Sequence, residues 1–294
     1  MRSGIRFILL LLILSSFGWS KLVAQVNARI EVMRQVYDTA AIIQVRWNEA
    51  DEKAWHDKND GRLDILGLKA NIGSADLKKS NSGTTTFSFG FVQPSLIELK
   101  VNVRSIAAGE QLYLVDSERG NMLFDFSKQA QRDVLTTEFD PSRTILVWKN
   151  LEGSSYDSEF SIDNIYYQPV KTGRVLDIGF GTSFPCHPNA ACKEDSLLQL
   201  ISNSTVRMRL VMEEGIGWCS GSFVNNTRND KTPYVLSAHH CQYDYTPIYD
   251  MWRFDFQYLS TTCTNPLVEP QYFSITGCDL VAGGQASDFL LLLL

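Results

Sequence analysis

The first 185 residues of this 294-residue chain contain no cysteine, whereas the last 109 residues contain all six, at positions 186, 192, 219, 241, 263 and 278. This asymmetry predicts two domains with different means of stabilisation. The chain also lacks any basic run, and its formal net charge is −6. Nucleic acid is bound mainly through clustered lysine and arginine, so it is not an expected partner.

No apolar run in the chain approaches the roughly 20 residues that a membrane-spanning helix needs. The run at residues 7–14 follows Arg2 and Arg6, and a small residue, Ala24, lies at a plausible cleavage point. This pattern is typical of a secretory signal peptide over residues 1–24, the alternative being a membrane anchor. The mature chain is therefore predicted to be exported, secreted or periplasmic, with no membrane association once the signal is removed.

Cysteines clustered in an exported chain predict a disulfide framework, because oxidation is permitted outside the cytoplasm and cross-links reduce the entropy of the unfolded state.

Short β-rich runs at hairpin-like spacing dominate the cysteine-free part, and turn residues such as Gly109, Gly120 and Pro141 separate them. The runs cover residues 84–91, 96–103, 111–115, 122–126, 144–148 and 160–167. They predict a mostly β fold with an N-terminal antiparallel β-sandwich. No cluster of histidine, cysteine or paired carboxylates gives this part chemistry of its own.

The polar run at residues 51–62 contains Asp57, Asn59, Asp60 and Gly61, which hints at a calcium loop. The glycine lies one position too early and the distal glutamate is missing, so a solvated turn is expected instead. No metal site is predicted here or at the adjacent His239 and His240, since neighbouring side chains on an extended segment point to opposite faces.

Three further elements are predicted after Cys186. Residues 194–203 form a possible short helix capped by Asp195 or Ser196. Residues 206–212 and 252–258 alternate in hydropathy, which predicts half-exposed strands. The outward-facing residues are expected to be Arg207 and Arg209 in the first strand, and Arg253, Asp255 and Gln257 in the second.

Residues 217–241, GWCSGSFVNNTRNDKTPYVLSAHHC, combine a Cys-Ser-Gly-Ser run with a short strand at residues 234–237 and a histidine directly before a cysteine. This stretch resembles the histidine half of a trypsin-like serine protease in the form used by bacterial lysyl endopeptidases. The resemblance implies that His240 is the catalytic general base. It also implies a chymotrypsin-like fold of two barrels, of which residues 181–294 would form the first.

Ser287-Asp288-Phe289, followed by five leucines, is similar to the run of that family in which the aspartate orients the histidine. The resemblance therefore implies that Asp288 is the second catalytic residue. It further implies a protein or peptide substrate, with a lysine preference, and no cofactor, since acyl transfer by such a triad needs none.

The same resemblance implies a disulfide Cys219–Cys241, which would hold His240 at the rim of the barrel, and a disulfide Cys192–Cys263. In the family Cys186 would join a cysteine of the second barrel. Cys278 departs from the pattern and either pairs with Cys186 or is free.

The domain boundaries follow from these observations: a signal peptide at 1–24, a sandwich at 25–180 and the protease part at 181–294. By resemblance the sandwich is a removable pro-domain, and residues 170–183, with Lys171 and Arg174, form a plausible linker and processing site. The competing interpretation is a binding sandwich that stays attached.

The catalytic serine of such enzymes lies in the second barrel, and Ser222 is expected to be structural. Because the sequence stops six residues after Asp288, the expectation is a truncated protease that is inactive alone. The leucine run is expected to be an unpaired, aggregation-prone edge if it ends the chain. The rival hypothesis is a secreted binding or adhesion protein with a non-catalytic, disulfide-stabilised β-domain, in which His240 is a packed loop residue and Asp288 a turn residue.

Overall fold

The computed structural model describes residues 28–34, 40–47, 49–59, 62–77, 83–90, 95–151, 156–169, 186–193, 195–264 and 268–294. The predicted signal peptide at 1–24 and the predicted linker at 170–183 lie outside these residues, so both stay predictions. Below, the N-terminal region means the described residues of 28–169 and the C-terminal region means those of 186–294.

Strands dominate the described residues, which confirms the prediction of a mostly β chain. The strands of the N-terminal region are β1 (Ala28–Arg34), β2 (Ala40–Trp47), β3 (Leu63–Gly73), β4 (Thr84–Gly90), β5 (Ser95–Ser105), β6 (Glu110–Asp116), β7 (Met122–Asp125), β8 (Arg132–Leu135), β9 (Thr144–Asn150) and β10 (Glu159–Pro169). Those of the C-terminal region are β11 (Thr205–Met212), β12 (Gly215–Val224), β13 (Tyr234–Ser237), β14 (Arg253–Phe256), β15 (Phe273–Thr276), β16 (Asp279–Gly284) and β17 (Phe289–Leu293).

The α-helices of the described residues are short: α1 (Glu49–Asn59), α2 (Ser74–Leu77) and α3 (Ser196–Ser204). Helix α3 was expected, and its cap is Asp195, whose carboxylate accepts a hydrogen bond from the backbone N–H of Leu197 at 2.8 Å. An aspartate at this position satisfies a backbone donor that the first helical turn leaves unpaired.

Helix α1 corrects the prediction that the polar run after residue 51 is a solvated turn. Trp55 is fully buried and anchors the helix. On the exposed side, Lys53 and Asp57 form an ion pair of 2.7 Å one helical turn apart. A single large apolar anchor and an i,i+4 pair can hold a helix whose other positions are polar.

Two sheets contain these strands. The first has the order β1-β2-β4-β9-β6-β7, and the second runs β15-β14-β11-β12-β3-β10-β5-β8. Pairing is antiparallel, as predicted, with the exception of the parallel pair β2–β4. The two sheets contact each other in the N-terminal region, where Trp148 of β9 meets Phe160 of β10 edge-on at 4.9 Å between ring centroids.

The C-terminal region continues the second sheet. From β12 the sheet branches to β13, which pairs with β17, and β17 pairs with β16. The predicted barrel is not closed within the described residues. The sheet is nevertheless the scaffold that carries the histidine and aspartate singled out from the sequence.

Strand β11 corrects one of the predicted outward faces. Val206, Met208 and Leu210 are buried, as alternation predicts. Arg209 on the opposite face is also buried and is bonded to the carboxylate of Glu98 in β5. The alternation was correct, but a strand from the N-terminal region covers the face that was expected to be exposed.

Strand β14 corrects the second predicted outward face, because Asp255 is fully buried instead of facing solvent. Its carboxylate accepts hydrogen bonds from Arg207 Nη2 at 2.6 Å, Arg253 Nε at 2.8 Å and Ser274 Oγ at 2.7 Å. Burial of a carboxylate is tolerable when charged donors satisfy it.

The leucine run is not an unpaired edge, contrary to expectation. Strand β17 pairs with β13 on one side and with β16 on the other. Leu290 and Leu292 are completely buried, while Leu291 and Leu293 are half-buried. A strand with neighbours on both sides and one face in the core favours a continuous apolar sequence.

Candidate active site

Strand pairing explains how two residues 48 positions apart meet. In the β13–β17 ladder Ser237 lies opposite Leu290. The chain leaves β13 through a 3-10 turn, His239–Cys241, and it enters β17 directly after Asp288. Because the strands are antiparallel, the residues just after β13 adjoin those just before β17. The ladder thus brings His240 and Asp288 together at one end of the sheet.

Both carboxylate oxygens of Asp288 contact His240. Oδ2 lies 2.7 Å from the ring Nδ1, and Oδ1 accepts a hydrogen bond from the backbone N–H at 2.8 Å. Two contacts to one residue fix both the position of the carboxylate and the rotation of the ring. The His240 side chain remains 68% exposed, so the ring is oriented and still accessible.

The hydrogen bonds from the His240 side chain and backbone hold the pKa of the Asp288 carboxyl below its ordinary value. Asp288 is therefore ionised at neutral pH. In this state its carboxylate can accept a hydrogen bond from an N–H at Nδ1 of His240.

Asp288 also has an uncommon backbone conformation, with φ of +50°. It ends the four-residue turn that joins β16 to β17, and its N–H bonds the carbonyl of Gln285 at 3.3 Å. Aspartate tolerates this left-handed region better than most residues. The turn aims the carboxylate at the end of β13.

A disulfide between Cys219 of β12 and Cys241 ties the histidine turn to the sheet, with 6.1 Å between the Cα atoms. This is the pair that the resemblance implies. Since β13 already pairs with β12 just before this point, the turn that carries His240 is held at both of its ends.

Cys192 and Cys263 form the second disulfide that the resemblance implies, 71 residues apart. Cys186 and Cys278 are free thiols, exposed and buried respectively. Cys278 Sγ contacts the carbonyl of Tyr249 at 3.8 Å, and burial raises the pKa of its thiol to about 12. Of the two alternatives for Cys278, a disulfide with Cys186 or a free thiol, the structure has the free thiol.

Metal-ligating atoms of Cys219, His240 and Cys241 lie within 4.8 Å of one another. Both sulfurs are consumed by the disulfide, and a disulfide sulfur is not the thiolate that binds zinc. The three residues lie close together because the disulfide holds the turn that carries His240.

The residues that hold the loop after Cys241 were not predicted from the sequence. The Glu214 carboxylate accepts hydrogen bonds from the backbone N–H and the hydroxyl of Thr246, both at 2.8 Å. The hydroxyl of Tyr245 donates to Asn59 Oδ1 of α1 at 2.7 Å. Each contact joins segments far apart in sequence, so no local motif could have revealed it.

Among the described residues no serine hydroxyl is hydrogen bonded to the His240 ring. Ser222 lies on β12 opposite Leu236, and its expected structural role stays a prediction.

The comparison with protein families adds a finding to this geometry. Residues 180–294 match the family model "Lysyl endopeptidase, C-terminal domain". Over this segment the chain is similar to the C-terminal domain of lysyl endopeptidases, which favours a protease-related protein.

The matched segment contains His240, Asp288 and both disulfides. It excludes the N-terminal sheet strands β1–β10. The division of the chain into domains at 180/181 stays a prediction. No described helix is long and apolar enough to cross a membrane.

Proposed function

We propose that the C-terminal region supplies the general base and its orienting carboxylate to a serine-type endopeptidase, with His240 as the base and Asp288 as the orienter. The observation that carries the proposal is the two-point contact of Asp288 with His240, at 2.7 Å to Nδ1 and 2.8 Å to the backbone nitrogen. The family match over residues 180–294 supports it.

The proton of the neutral imidazole lies on Nδ1 when that nitrogen donates to the ionised Asp288. The lone pair of Nε2 is then free to take the proton of a serine hydroxyl as it attacks the scissile carbonyl. The imidazolium that forms is stabilised by the carboxylate, and it returns the proton to the leaving amine. Asp288 keeps its negative charge throughout.

In this proposal the substrate is a protein or peptide, and cleavage after lysine is the preference that the family relation suggests. The protein is exported, and the two disulfides and the family relation support an extracellular location. Residues 25–180 form a pro-domain. The nucleophilic serine belongs to a further part of the active enzyme.

The test is hydrolysis of peptide amides by the protein as its own host produces it, with lysyl, arginyl and leucyl substrates compared. We expect cleavage after lysine that falls by roughly 10³-fold or more in His240→Ala, since removal of a triad member has effects of at least that size. His239→Ala is the matched control, because it removes the neighbouring imidazole, and it should change kcat/KM only a few-fold.

Equal losses in the two histidine variants would contradict the assignment of the base. Absence of hydrolysis, together with absence of labelling by a serine-directed fluorophosphonate, would reject the protease proposal and favour the secreted binding protein.

A further inference from the structure

The turn of the β11–β12 hairpin is bound by the N-terminal region through its backbone. Three successive carbonyls of this turn each accept one hydrogen bond from a donor in β3 or β10. The bonds join Tyr166 Oη to Met212 at 2.9 Å, Asn164 Nδ2 to Glu213 at 3.2 Å and the Gly67 N–H to Glu214 at 2.9 Å. The N-terminal region thus satisfies the carbonyls of three successive residues of this hairpin turn.

Pairing between strands β3 and β12 extends this contact between the two regions. Ile65 and Leu66 of β3 pair with Ile216 and Gly215 of β12, so that one sheet crosses from the N-terminal to the C-terminal region. β12 has β11 on its other edge along this segment. The N-terminal region therefore fills the free edge of a strand, which is the geometry of β-strand addition between separate proteins.

Glycines on both sides make this approach possible. An added Cβ would lie well inside contact distance of a backbone oxygen of the opposite region at three positions. These are Gly217 with 2.3 Å to Arg62 O, Gly215 with 2.2 Å to Ile65 O and Gly67 with 2.5 Å to Glu213 O. Because the opposing atoms are backbone, no side-chain rotation could relieve the overlap.

Two ion pairs flank the strands. The Lys69 ammonium lies 2.8 Å from the Glu213 carboxylate at the turn. Arg209 of β11 and Glu98 of β5 form a buried pair, with 8% and 4% of their side chains exposed. Both pairs thus cross the boundary between the two regions, beside the strands that join them.

We propose that the tip of the β11–β12 hairpin is a docking element for β3 and β10, and that the N-terminal region stays bound to it as a non-covalent partner when the chain between them is cut. The partner that this surface fits is an extended strand with a glycine at the position of Gly67, supplied by the same chain. The inference concerns binding and does not rest on the proposed catalysis.

Docking has a consequence for the histidine turn. The hairpin tip carries Glu214, whose carboxylate holds Thr246, and α1 holds Tyr245 through Asn59. Both contacted residues lie in the loop that follows Cys241. The bound N-terminal region thus restrains the segment next to His240.

The experiment cuts the folded full-length chain and asks whether the two fragments separate. A recognition sequence for a site-specific endoprotease is inserted among residues 170–185. All six cysteines lie at or beyond position 186, so no disulfide can join the fragments. We expect the cut chain to elute from a size-exclusion column as one species at micromolar concentration.

Gly217→Ala should separate the cut chain into two species, because its Cβ meets the backbone of Arg62. Gly73→Ala is the matched control on β3, since its Cβ would make only ordinary contacts, at 3.5 Å to the Asp76 carboxylate and 4.0 Å to Ala75 N. Gly73→Ala should therefore elute like the unaltered cut chain.

Tyr166→Phe provides a second readout if Gly217→Ala does not fold. Loss of one buried donor to a carbonyl should raise the dissociation constant of the fragments roughly tenfold. The proposal is overturned if the unaltered cut chain separates. It is also overturned if the fragments of Gly217→Ala, or of Tyr166→Phe where that variant decides, bind as tightly as those of Gly73→Ala.

Discussion

Two hydrogen-bonded carboxylates of this molecule, one in each region, illustrate opposite uses of a polar group. In the N-terminal region the buried carboxylate of Glu110 receives hydrogen bonds from Trp148 Nε1 at 2.7 Å, Ser158 Oγ at 2.6 Å and the Asp157 N–H at 2.6 Å. Burial alone would raise the pKa of Glu110, but these donors together hold it below its ordinary value. The Glu110 carboxylate is therefore ionised, and its oxygens are engaged in hydrogen bonds that stabilise the fold.

In the C-terminal region the hydrogen-bonded pair is left at the surface. Both members of the His240–Asp288 pair are about half exposed or more, and disulfides hold the surrounding chain. The contrast teaches that a satisfied carboxylate stabilises a core when it is enclosed, whereas one that orients an accessible imidazole is available for chemistry. Cross-links take over the stabilisation there.

Removing the longer disulfide with Cys192→Ala and Cys263→Ala should sharpen this contrast most. The chain-entropy relation for a loop of 71 residues predicts a loss of about 4 kcal/mol in the free energy of unfolding. Amide hydrogen exchange followed by mass spectrometry should show faster exchange in the C-terminal strands, with β4, β6 and β9 little changed. The matched variant Cys219→Ala with Cys241→Ala removes the disulfide that closes a loop of 22 residues and should cost about 3 kcal/mol in the free energy of unfolding.

Equal acceleration of exchange in both regions would contradict the claim that disulfides stabilise mainly the C-terminal one. It would show that removing the disulfide destabilises both regions equally, through the sheet that they share at the β3–β12 pair.

A smaller effect is expected from pH at the buried pair that joins the regions. Burial raises the pKa of Glu98 to about 6, although the attraction of Arg209 acts in the opposite direction. A carboxyl whose pKa is higher in the folded state than its ordinary 4.5 binds its proton more tightly when folded. Its contribution to stability is therefore complete below pH 4.5 and is lost as the pH rises through 6.

Relative to Glu98→Gln, the unaltered protein should gain about 2 kcal/mol in the free energy of unfolding between pH 8 and pH 4.5, at 1.36 kcal/mol for each pKa unit. Urea denaturation at both pH values measures the difference. Glu159→Gln, which removes an exposed carboxylate of β10, serves as control. A difference that shrinks on acidification would mean that the ion pair with Arg209 outweighs burial.

Much of the fold was predictable where alternation reflects one buried face. Strands β4, β5, β6, β7, β9 and β10 were all indicated within two residues of their ends as described. Strand β3 was missed because it lies between β10 and β12. Its apolar residues Leu63, Ile65, Leu66 and Leu68 break strict alternation, and its partner β12 is distant in sequence.

The burial of Arg209 and Asp255 could not be predicted for a related reason. A charged residue is predicted to be exposed unless its partner is known. The partner of Arg209 is Glu98, which lies 111 residues away in the sequence. The site was more accessible to sequence reasoning, because the motifs around His240 and Asp288 are local. Only the β13–β17 register, however, explains why the two side chains meet.

The most direct test of the account is the kcat/KM of Asp288→Asn in the enzyme as its host produces it, compared with Asp279→Asn at the start of β16. An amide retains the geometry but favours the wrong tautomer of the imidazole. The account predicts a loss of roughly 10⁴-fold near neutral pH for Asp288→Asn and little change for Asp279→Asn. A loss below tenfold for Asp288→Asn, or the same loss in both variants, would contradict the role of Asp288 as the residue that orients His240.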